Sequence, residues 1–506
     1  MSRYERKYVS DLVPGNINLL TTLLVAVAVV NSATLGYDSS VMNGLLILPS
    51  YTEYFHLNTA TTGLNNAASW MGGIMGTFLM QPLPDRLGRK NAIVVAVIVT
   101  TIGIILQAAA QNIAMFVVAR IIVGIGSAIS NASAPILLGE LLPPRSRGRV
   151  LGIFFSCYYV GSLLSAIINY GSQNIQSTWS WRLPSLLQCI PSFLAAVLLP
   201  FVPESPRWLI SRNRHDEALE VLLVMQGRAA ENIDTARASL VDIRTTMARE
   251  SAMFPRNPWR EVFSTKGNRK RLVILAAFGC MINSWGNFII SFYLTKILDQ
   301  AGIRDTVTQT QINVILNCWS FVVAIFGSFM LDVLGRRKQT MTGAVGMIIT
   351  LFVTGGLIKV YGESSNKSAI YGTIAVIFLF QGFYAFSITP MTSLYATEVS
   401  QFKLRSVGIA VFRFFDSSIG LTFSFAMSYA MANLGWKFYL INAAWNIIYL
   451  VIIYSTFVET KGLKLEEIAA KFDGPLALEA TEGDSETEPG FGDKNVRVKT
   501  TLSEEA

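Results

Sequence analysis

Two aspartates lie inside long apolar stretches of the sequence, where an ionised carboxylate is costly unless it faces a cavity or an oppositely charged partner. The first, Asp38, is flanked by Gly36 and Ser39. Two interpretations stay open: a hydrogen bond at a helix end, or a group that takes up and releases a proton. The second, Asp416, follows Arg413 by three residues, so the two side chains share one helical face and neutralise each other. This pair either stabilises contacts between helices or contacts a bound solute.

A second group of polar and aromatic side chains lies in apolar surroundings and could bind a hydroxylated solute. These residues supply amide donors and acceptors, a phenolic hydroxyl and an aromatic stacking face. They are Gln188, Asn283, Trp285, Asn287 and Tyr293. Each residue alone is more often a contact between helices. The concentration of four of them in one short segment favours a binding cavity.

Three charged signatures recur in the same order in the two parts of the chain. The first is an Asp followed closely by two basic residues, the second a Glu with an Arg seven positions later, and the third a Glu with a basic residue shortly after it. The members are Asp85, Arg86, Arg89, Glu140, Arg147, Glu204 and Arg207, and then Asp332, Arg336, Arg337, Glu398, Arg405, Glu459 and Lys461. Three matches in the same order indicate a duplicated unit.

The basic members of these signatures have two interpretations. Membrane topology explains basic clusters by themselves, because short cytoplasmic loops carry an excess of Lys and Arg. Topology does not require a carboxylate beside each arginine, however. We therefore expect the acidic and basic side chains to form charge-assisted hydrogen bonds that lock the two parts together at one face and separate when the parts rock.

The elements that position these residues are membrane helices. Hydrophobic residues make up 52% of the 506 positions and charged residues only 15%, whereas soluble proteins carry roughly 25% charged residues. Twelve apolar stretches have about the 20 residues that a bilayer span needs. We name them spans one to twelve; span one begins at Ile17, and the others cover residues 62–81, 91–110, 113–137, 149–170, 183–202, 272–298, 311–331, 339–360, 370–395, 406–430 and 436–458. The sequence predicts an all-α membrane protein of two pseudosymmetric six-helix bundles.

The chain divides into five predicted segments. An N-terminal tail covers residues 1–16, a six-helix bundle 17–203, a polar helical loop 204–271, a second six-helix bundle 272–460, and an acidic, mostly disordered tail 461–506. Basic loops follow spans two, four, eight and ten, whereas residues 37–81 contain no Lys or Arg. This distribution predicts that the basic loops, the central loop and both termini face the cytoplasm.

Other classes of site find little support in the sequence. The four cysteines lie in apolar runs and the two histidines in separate polar segments, so we expect no structural disulfide, no metal site and no cofactor. No combination of nucleophile, base and metal ligands indicates an enzyme. The net charge of +8 is explained by the basic loops, so the expected partner is the lipid bilayer and not nucleic acid. Asn366 begins a candidate N-glycosylation sequon in a predicted external loop.

Over residues 17–472 the chain resembles the sugar porter family of the major facilitator superfamily. The motifs that carry the resemblance are Gly36-Tyr37-Asp38, Arg120 with Gly124 and Gly126, Pro203 to Arg207, and the segments Asp85 to Lys90, Glu140 to Gly148, Asp332 to Arg337 and Glu459 to Gly462. Within the family, Trp181 to Gln188 and Gly286-Asn287 are most similar to the fungal lactose permease and hexose transporter branch.

The resemblance implies the major facilitator fold and alternating access to a central site. It also implies a mono- or disaccharide substrate, a proton as co-substrate, and Asp38 with Arg120 as the proton-coupling pair. Proton-coupled uptake at the plasma membrane is therefore the leading interpretation. A passive sugar facilitator is an alternative, because its gates would be identical. A transporter-like nutrient sensor is a further alternative, although the C-terminal tail is short for signalling.

Four positions depart from the family pattern in the expected binding site. Phe155 stands where sugar porters usually have a glutamine, and Ser320 stands where an asparagine is common. Ile282-Asn283 replaces a pair of glutamines in span seven. Loss of amides removes partners for substrate hydroxyls, so we expect a less polar ligand or binding through other residues. Ser320 is kept as a candidate substrate-binding residue.

Overall fold

The computed structural model describes residues 7–142, 154–226, 233–253, 260, 262–361, 367–400, 405–461 and 471–472. Regular structure in these ranges is helical throughout. Helix starts carry polar caps: the side chain of Asn112 accepts from the N–H of Met115, and that of Asp305 accepts from the N–H of Thr308. Such caps satisfy main-chain donors that have no partner within the helix.

Twelve helical segments occupy the positions of the predicted spans. In chain order they are Ile17–Ile47, Thr59–Thr77, Arg89–Ala108, Ile113–Leu141, Tyr158–Ser172, Trp179–Leu187 continued by Cys189–Leu198, Lys266–Ser284 continued by Asn287–Gln300, Thr306–Leu334, Arg336–Tyr361, Lys367–Ser387 continued by Met391–Val399, Arg405–Asn433 and Lys437–Thr456. Shorter helices are Pro49–Tyr54, Pro82–Leu87, Pro206–Ser211, His215–Met225 and Ile233–Met253, with a single 3-10 turn at Leu199–Phe201.

Nine of the spans in the described ranges are long and apolar enough, by length and composition, to cross a membrane. Spans two, five and seven do not meet this test, each for a physical reason. Span two is rich in Thr, Gly and Asn, and the described helix of span five has 15 residues. Span seven breaks at Trp285 and Gly286, between its two helices. Polar and broken helices inside a membrane are tolerated where they line a cavity.

The spans form two halves, one from spans one to six and the other from spans seven to twelve. Span one packs on span five, and span four on spans two and three, within the first half. Span seven packs on span eleven, and span nine on spans ten and twelve, within the second. Span two contacts span eleven and span five contacts span eight across the halves. The inner faces of these helices enclose the site.

Buried apolar side chains form two main clusters. The larger runs through the second half, where it includes Trp285 and Phe412, and extends into the first half at Tyr37 and Phe116. The other joins spans one and four to the short helices after span six, through Trp208, Leu209 and Val221. The central loop helices are thus packed against the first half.

Candidate functional site

A cavity of about 230 Å³ lies between the two halves. Spans one, two, four and five line it from the first half, and spans seven, eight, ten and eleven from the second. Five of the candidate proton-coupling and substrate-binding residues contribute to the lining: Asp38, Asn283, Asn287, Ser320 and Asp416. A concave polar site between repeats is where transporters of this architecture bind their solutes.

Asp38 lies in the wall of this cavity with only 5% of its surface exposed. Its carboxylate accepts hydrogen bonds from the hydroxyl of Ser127 in span four and the amide of Gln188 in span six. Arg120 lies beside it, but its Nη1 donates to the main-chain oxygen of Asp38 (3.0 Å), and its Nη2 lies 3.4 Å from Ser69 Oγ. The carboxylate is therefore held by neutral donors, with the guanidinium nearby.

Asp416 occupies a comparable position in the second half. The side-chain amide of Asn283 donates to its Oδ1 (2.8 Å) and to its main-chain oxygen (2.9 Å). Arg413 Nη1 lies 3.3 Å from Asp416 Oδ2. Arg413 and Asp416 both line the cavity, so this ion pair within span eleven faces the cavity, and the hydrogen bonds from Asn283 tie span seven to span eleven.

Three residues singled out from the sequence lie behind the cavity wall. Gln188 is fully buried and orients the Asp38 carboxylate. Trp285 is also fully buried, and its ring packs edge-on against Tyr449 at 5.4 Å. The Tyr293 hydroxyl donates to the main-chain oxygen of Ser424 (2.7 Å) in span eleven. These three side chains hold neighbouring helices together or orient the carboxylate of Asp38. This corresponds to the alternative interpretation given above, in which each residue is a contact between helices.

Several lining residues were not singled out from the sequence. Asn43 in span one donates to Asn313 Oδ1 in span eight (3.2 Å), which joins the two halves near the face opposite the basic loops. Asn317, Gln381 and Tyr384 also line the cavity. The sequence of span eight does contain a pattern from which these lining residues could be predicted. Asn313, Asn317 and Ser320 are spaced by four and three residues and so share one helical face.

The departures from the family pattern change the cavity wall. Phe155 lines the cavity and brings a phenyl ring where an amide is usual. The Ser320 hydroxyl donates to the main-chain oxygen of Leu316 in its own helix (2.7 Å), so it faces a solute mainly as an acceptor. Polar groups in the wall are supplied instead by the side chains of Asn43, Asn313 and Asn317.

The charged signature of the first half forms a connected network beside the start of span three. Arg89 Nη1 lies 3.2 Å from Asp85, and its Nε lies 3.3 Å from Glu140. Glu204 accepts from the main-chain N–H groups of Arg89 (3.0 Å) and Lys90 (3.1 Å). Burial raises the pKa of Glu204, and hydrogen bonds from the N–H groups of Ser205, Lys90 and Arg89 oppose this increase. An acid at a helix N-terminus interacts favourably with the helix dipole.

The second half repeats this network beside the start of span nine. Arg336 lies 3.2 Å from Asp332 and 2.9 Å from Glu398. Glu459 accepts from the N–H groups of Arg336 (2.9 Å) and Arg337 (3.1 Å). The duplicated sequence signatures thus correspond to duplicated contacts.

Matching details strengthen the correspondence between the two networks. Ser205 donates to Glu140, and Thr460 donates to Glu398. Gly88 and Gly335 precede spans three and nine with φ of 100° and 88°, a conformation that favours glycine. A Cβ at either glycine would also lie within 3.0 Å of the carboxylate of Glu204 or Glu459. Each glycine therefore lets the acid reach the helix start.

The described networks differ from the expected lock between the halves. Every ion pair between described residues at the basic loops joins two residues of the same half. Arg147, Asn366 and the side chain of Arg405 lie outside the described residues, so pairing of Glu140 or Glu398 across the halves stays a prediction. The main-chain oxygen of Arg86 accepts from Arg212, and Arg207 lies in the helix Pro206–Ser211.

Comparisons with known proteins cover most of the chain. The family profile described as "Sugar (and other) transporter" matches residues 24–472. The MFS-type transporter criB of Aspergillus cristatus is 28% identical, over 88% of this chain and 92% of its own length. The high-affinity glucose transporter of Kluyveromyces lactis is 27% identical, over 87% of this chain and 83% of its own.

A solved structure matches the fold. The proton:xylose symporter XylE of E. coli, bound to 6-bromo-6-deoxy-D-glucose, superposes with a TM-score of 0.75 over 90% of this chain and 100% of its own at 21% identity. The match confirms the predicted twelve-helix major facilitator fold in two six-helix bundles. It includes spans two, five and seven, which are less apolar, short or broken.

Proposed function

Because the chain belongs to the sugar (and other) transporter family, we propose that it carries a mono- or disaccharide together with a proton by alternating access. Family membership makes the protein a transporter and not an enzyme, and the family resemblance based on the charged signatures is confirmed. The protein crosses the membrane several times. The proposed location is the plasma membrane with both termini in the cytoplasm, which the basic loops after spans two, four, eight and ten support.

The single observation that carries proton coupling is the placement of Asp38. Its carboxylate lines the cavity on one side and contacts the buried Ser127 and Gln188 on the other. Among the described residues none forms an ion pair with this carboxylate, and such a buried acid can exchange a proton when access to the cavity changes. The name of the structural relative XylE describes a proton:xylose symporter, which is consistent with this role.

A sugar as substrate is supported by the polar groups of the cavity. Asn287 presents an amide that can both donate to and accept from hydroxyl groups, and the side-chain oxygens of Asn283 and Asn317 can accept, since their amide nitrogens already donate to Asp416 and Asn313. Trp70 and Phe155 add aromatic surface on which the apolar face of a sugar ring can pack. The name of the Kluyveromyces lactis relative describes a glucose transporter.

Alternating access follows from the division of contacts between and within the halves. The ion-pair networks keep the ends of helices together inside each half, so each half moves as a unit. The bond between Asn43 and Asn313 joins the halves near one face, and the 2.8 Å contact between Ser156 and Ser328 joins them nearer the basic loops. Opening the cavity to either side would break the contacts on that side.

Proton coupling is tested by the pH of a weakly buffered suspension of cells that express the protein. Addition of the transported sugar should make the medium more alkaline, because each sugar enters with a proton. Cells with an empty vector provide the control. Sugar uptake without any change in external pH would contradict coupling and support the passive facilitator.

The substrate role of the cavity is tested by Asn287→Ala. We expect the half-saturating sugar concentration to rise about fivefold, which corresponds to the loss of one hydrogen bond worth about 1 kcal/mol. The measurement is uptake rate against sugar concentration. Asn91→Ala is the control, since the amide of Asn91 donates to Leu87 on the exposed surface. Equal half-saturation in wild type and Asn287→Ala would exclude Asn287 from the binding site.

A further inference from the structure

A second, much smaller cavity lies behind Asp38, inside the first half. Spans one, three, four and six enclose it, and its volume is about 10 Å³. This is roughly the space that one buried water molecule requires. Ser127 and Leu35 line both this cavity and the large one, so they form the wall between them.

The lining of the small cavity is rich in hydroxyl groups. Besides Ser127 it includes Thr34, Thr100, Ser130 and Ser192. Ser192 is 1% exposed, and its Oγ has no hydrogen-bond partner among the described residues. An unpaired buried hydroxyl is costly, and a water molecule with two to four polar partners would satisfy it.

Ser192 also lies close to Gln188, whose side-chain amide donates a hydrogen bond to the carboxylate of Asp38. It follows Gln188 by four residues, so both lie on the same face of span six, one turn apart. Gln188 contacts one carboxylate oxygen of Asp38, and Ser127 contacts the other. A molecule in the small cavity would therefore contact the Asp38 site through Ser127.

We propose that this small cavity is a water-binding site that lets Ser127 reverse the direction of its hydrogen bond when Asp38 gains a proton. The inference rests on the proposed proton coupling. While Asp38 is ionised, Ser127 donates its hydrogen to the carboxylate and accepts from the water. Once Asp38 is protonated, the acid donates to Ser127 Oγ, and the Ser127 hydrogen must find another acceptor.

The bound water is that acceptor. The Gln188 amide already donates to Asp38 and cannot accept there through the same nitrogen. Without the water, the Ser127 hydrogen would have to turn away from the small cavity towards the large one, which Ser127 also lines, or stay without a partner; a buried donor without a partner costs more than an acceptor left unused. The site therefore stabilises mainly the protonated form of Asp38, and its loss should lower the external pH at which uptake is half-maximal.

Other charged and titratable groups surround Asp38 and stay unchanged in the test. They are Tyr37, Arg120, Tyr158 and Cys189 in the first half, with Tyr159, Tyr384, Arg413 and Asp416 around the large cavity. None of these groups lines the small cavity. Substitutions confined to that cavity thus separate the effect of the water from effects of neighbouring charges.

Two variants remove the water site in different ways. Ser192→Val fills the space and removes the unpaired hydroxyl, whereas Thr100→Val keeps the side-chain shape and removes one partner of the water. Ser185→Ala is the control: Ser185 is buried on the same span, and its hydroxyl donates to Trp181 in its own helix (2.8 Å). Initial uptake is measured against external pH, with counterflow exchange as the measure of folded carrier.

We expect Ser192→Val to lower the pH of half-maximal uptake by about 0.5 to 1 unit, the equivalent of one buried hydrogen bond. Thr100→Val should lower it by less, and Ser185→Ala should leave it unchanged. In an Asp38→Asn background, Ser192→Val should have no further effect. Unchanged profiles in both variants, or a shift that persists without Asp38, would overturn the inference.

Two further outcomes would also overturn the proposed water site. Loss of counterflow together with uptake in both variants would assign these hydroxyls to packing and overturn the inference. A wild-type protein whose uptake does not depend on pH would overturn proton coupling itself, and the water site with it. That result is visible in the wild type alone, so failure of the proposed function and failure of the water site can be distinguished.

Discussion

Asp38→Asn is expected to abolish accumulation of the substrate against a gradient while exchange of labelled for unlabelled substrate across the membrane persists. Asparagine keeps the size of the side chain and one oxygen acceptor, so Ser127 can still donate to it. It cannot release a proton, so it imitates the protonated acid in every step. Substrate can bind and the halves can move, but the proton gradient can no longer drive accumulation of the substrate.

The measurement compares net accumulation with counterflow exchange in the same preparation. Asp416→Asn is the matched variant, because Asp416 is the buried acid that lines the cavity from the other half. We expect it to keep pH-dependent accumulation. If accumulation survives in Asp38→Asn and is lost in Asp416→Asn, the coupling acid lies in span eleven. Arg120→Ala should also weaken coupling, because it removes the cation nearest Asp38.

Glu398→Ala is expected to lower the maximal transport rate about tenfold while the protein still reaches the membrane. Glu398 accepts from Arg336 at 2.9 Å and 3.2 Å and from Thr460 at 2.6 Å. Its removal leaves the largely buried Arg336 guanidinium with the exposed Asp332 as its remaining ion-pair partner among the described residues. The expected cost of about 1.4 kcal/mol is in the range for a charged hydrogen bond.

Asp332→Ala is the control for this prediction. Asp332 contacts the same arginine, but its side chain is 84% exposed, against 19% for Glu398. Exposed ion pairs contribute little, so Asp332→Ala should change the rate less than twofold. Surface biotinylation measures the amount of protein in the membrane. Equal rates for the two variants would mean that the Glu398 contact does not limit the movement of the halves.

The charged signatures illustrate how far sequence reasoning reaches. Their repetition was enough to predict two related halves, because a duplicated unit keeps the same residue types at the same helix ends. The partner of each residue could not be deduced in the same way. Arg89 and Glu140, like Arg336 and Glu398, meet inside one half because the start of one span packs beside the end of another. That arrangement depends on three-dimensional packing that residue spacing does not encode.

The cavity residues show a similar limit. Asp38 and Asp416 stand out because a carboxylate is rare in an apolar stretch. Asn43 and Asn313 are less conspicuous, since asparagine is common as a contact between helices, and only the approach of spans one and eight brings them together. Trp285 and Tyr293 belong to the polar segment around the break in span seven, yet their side chains point into helix contacts. The rotation of each helix about its axis decides whether such a side chain lines the cavity or contacts another helix.

The most direct test of proton coupling is sugar accumulation by the wild-type protein in sealed, energised membrane vesicles, with and without a protonophore. We predict that sugar accumulates above the external concentration when the proton gradient is present. The protonophore should then reduce the internal concentration to equilibrium with the outside. Uptake that only equilibrates, at the same rate and extent with and without the protonophore, would contradict proton coupling and identify the protein as a passive facilitator.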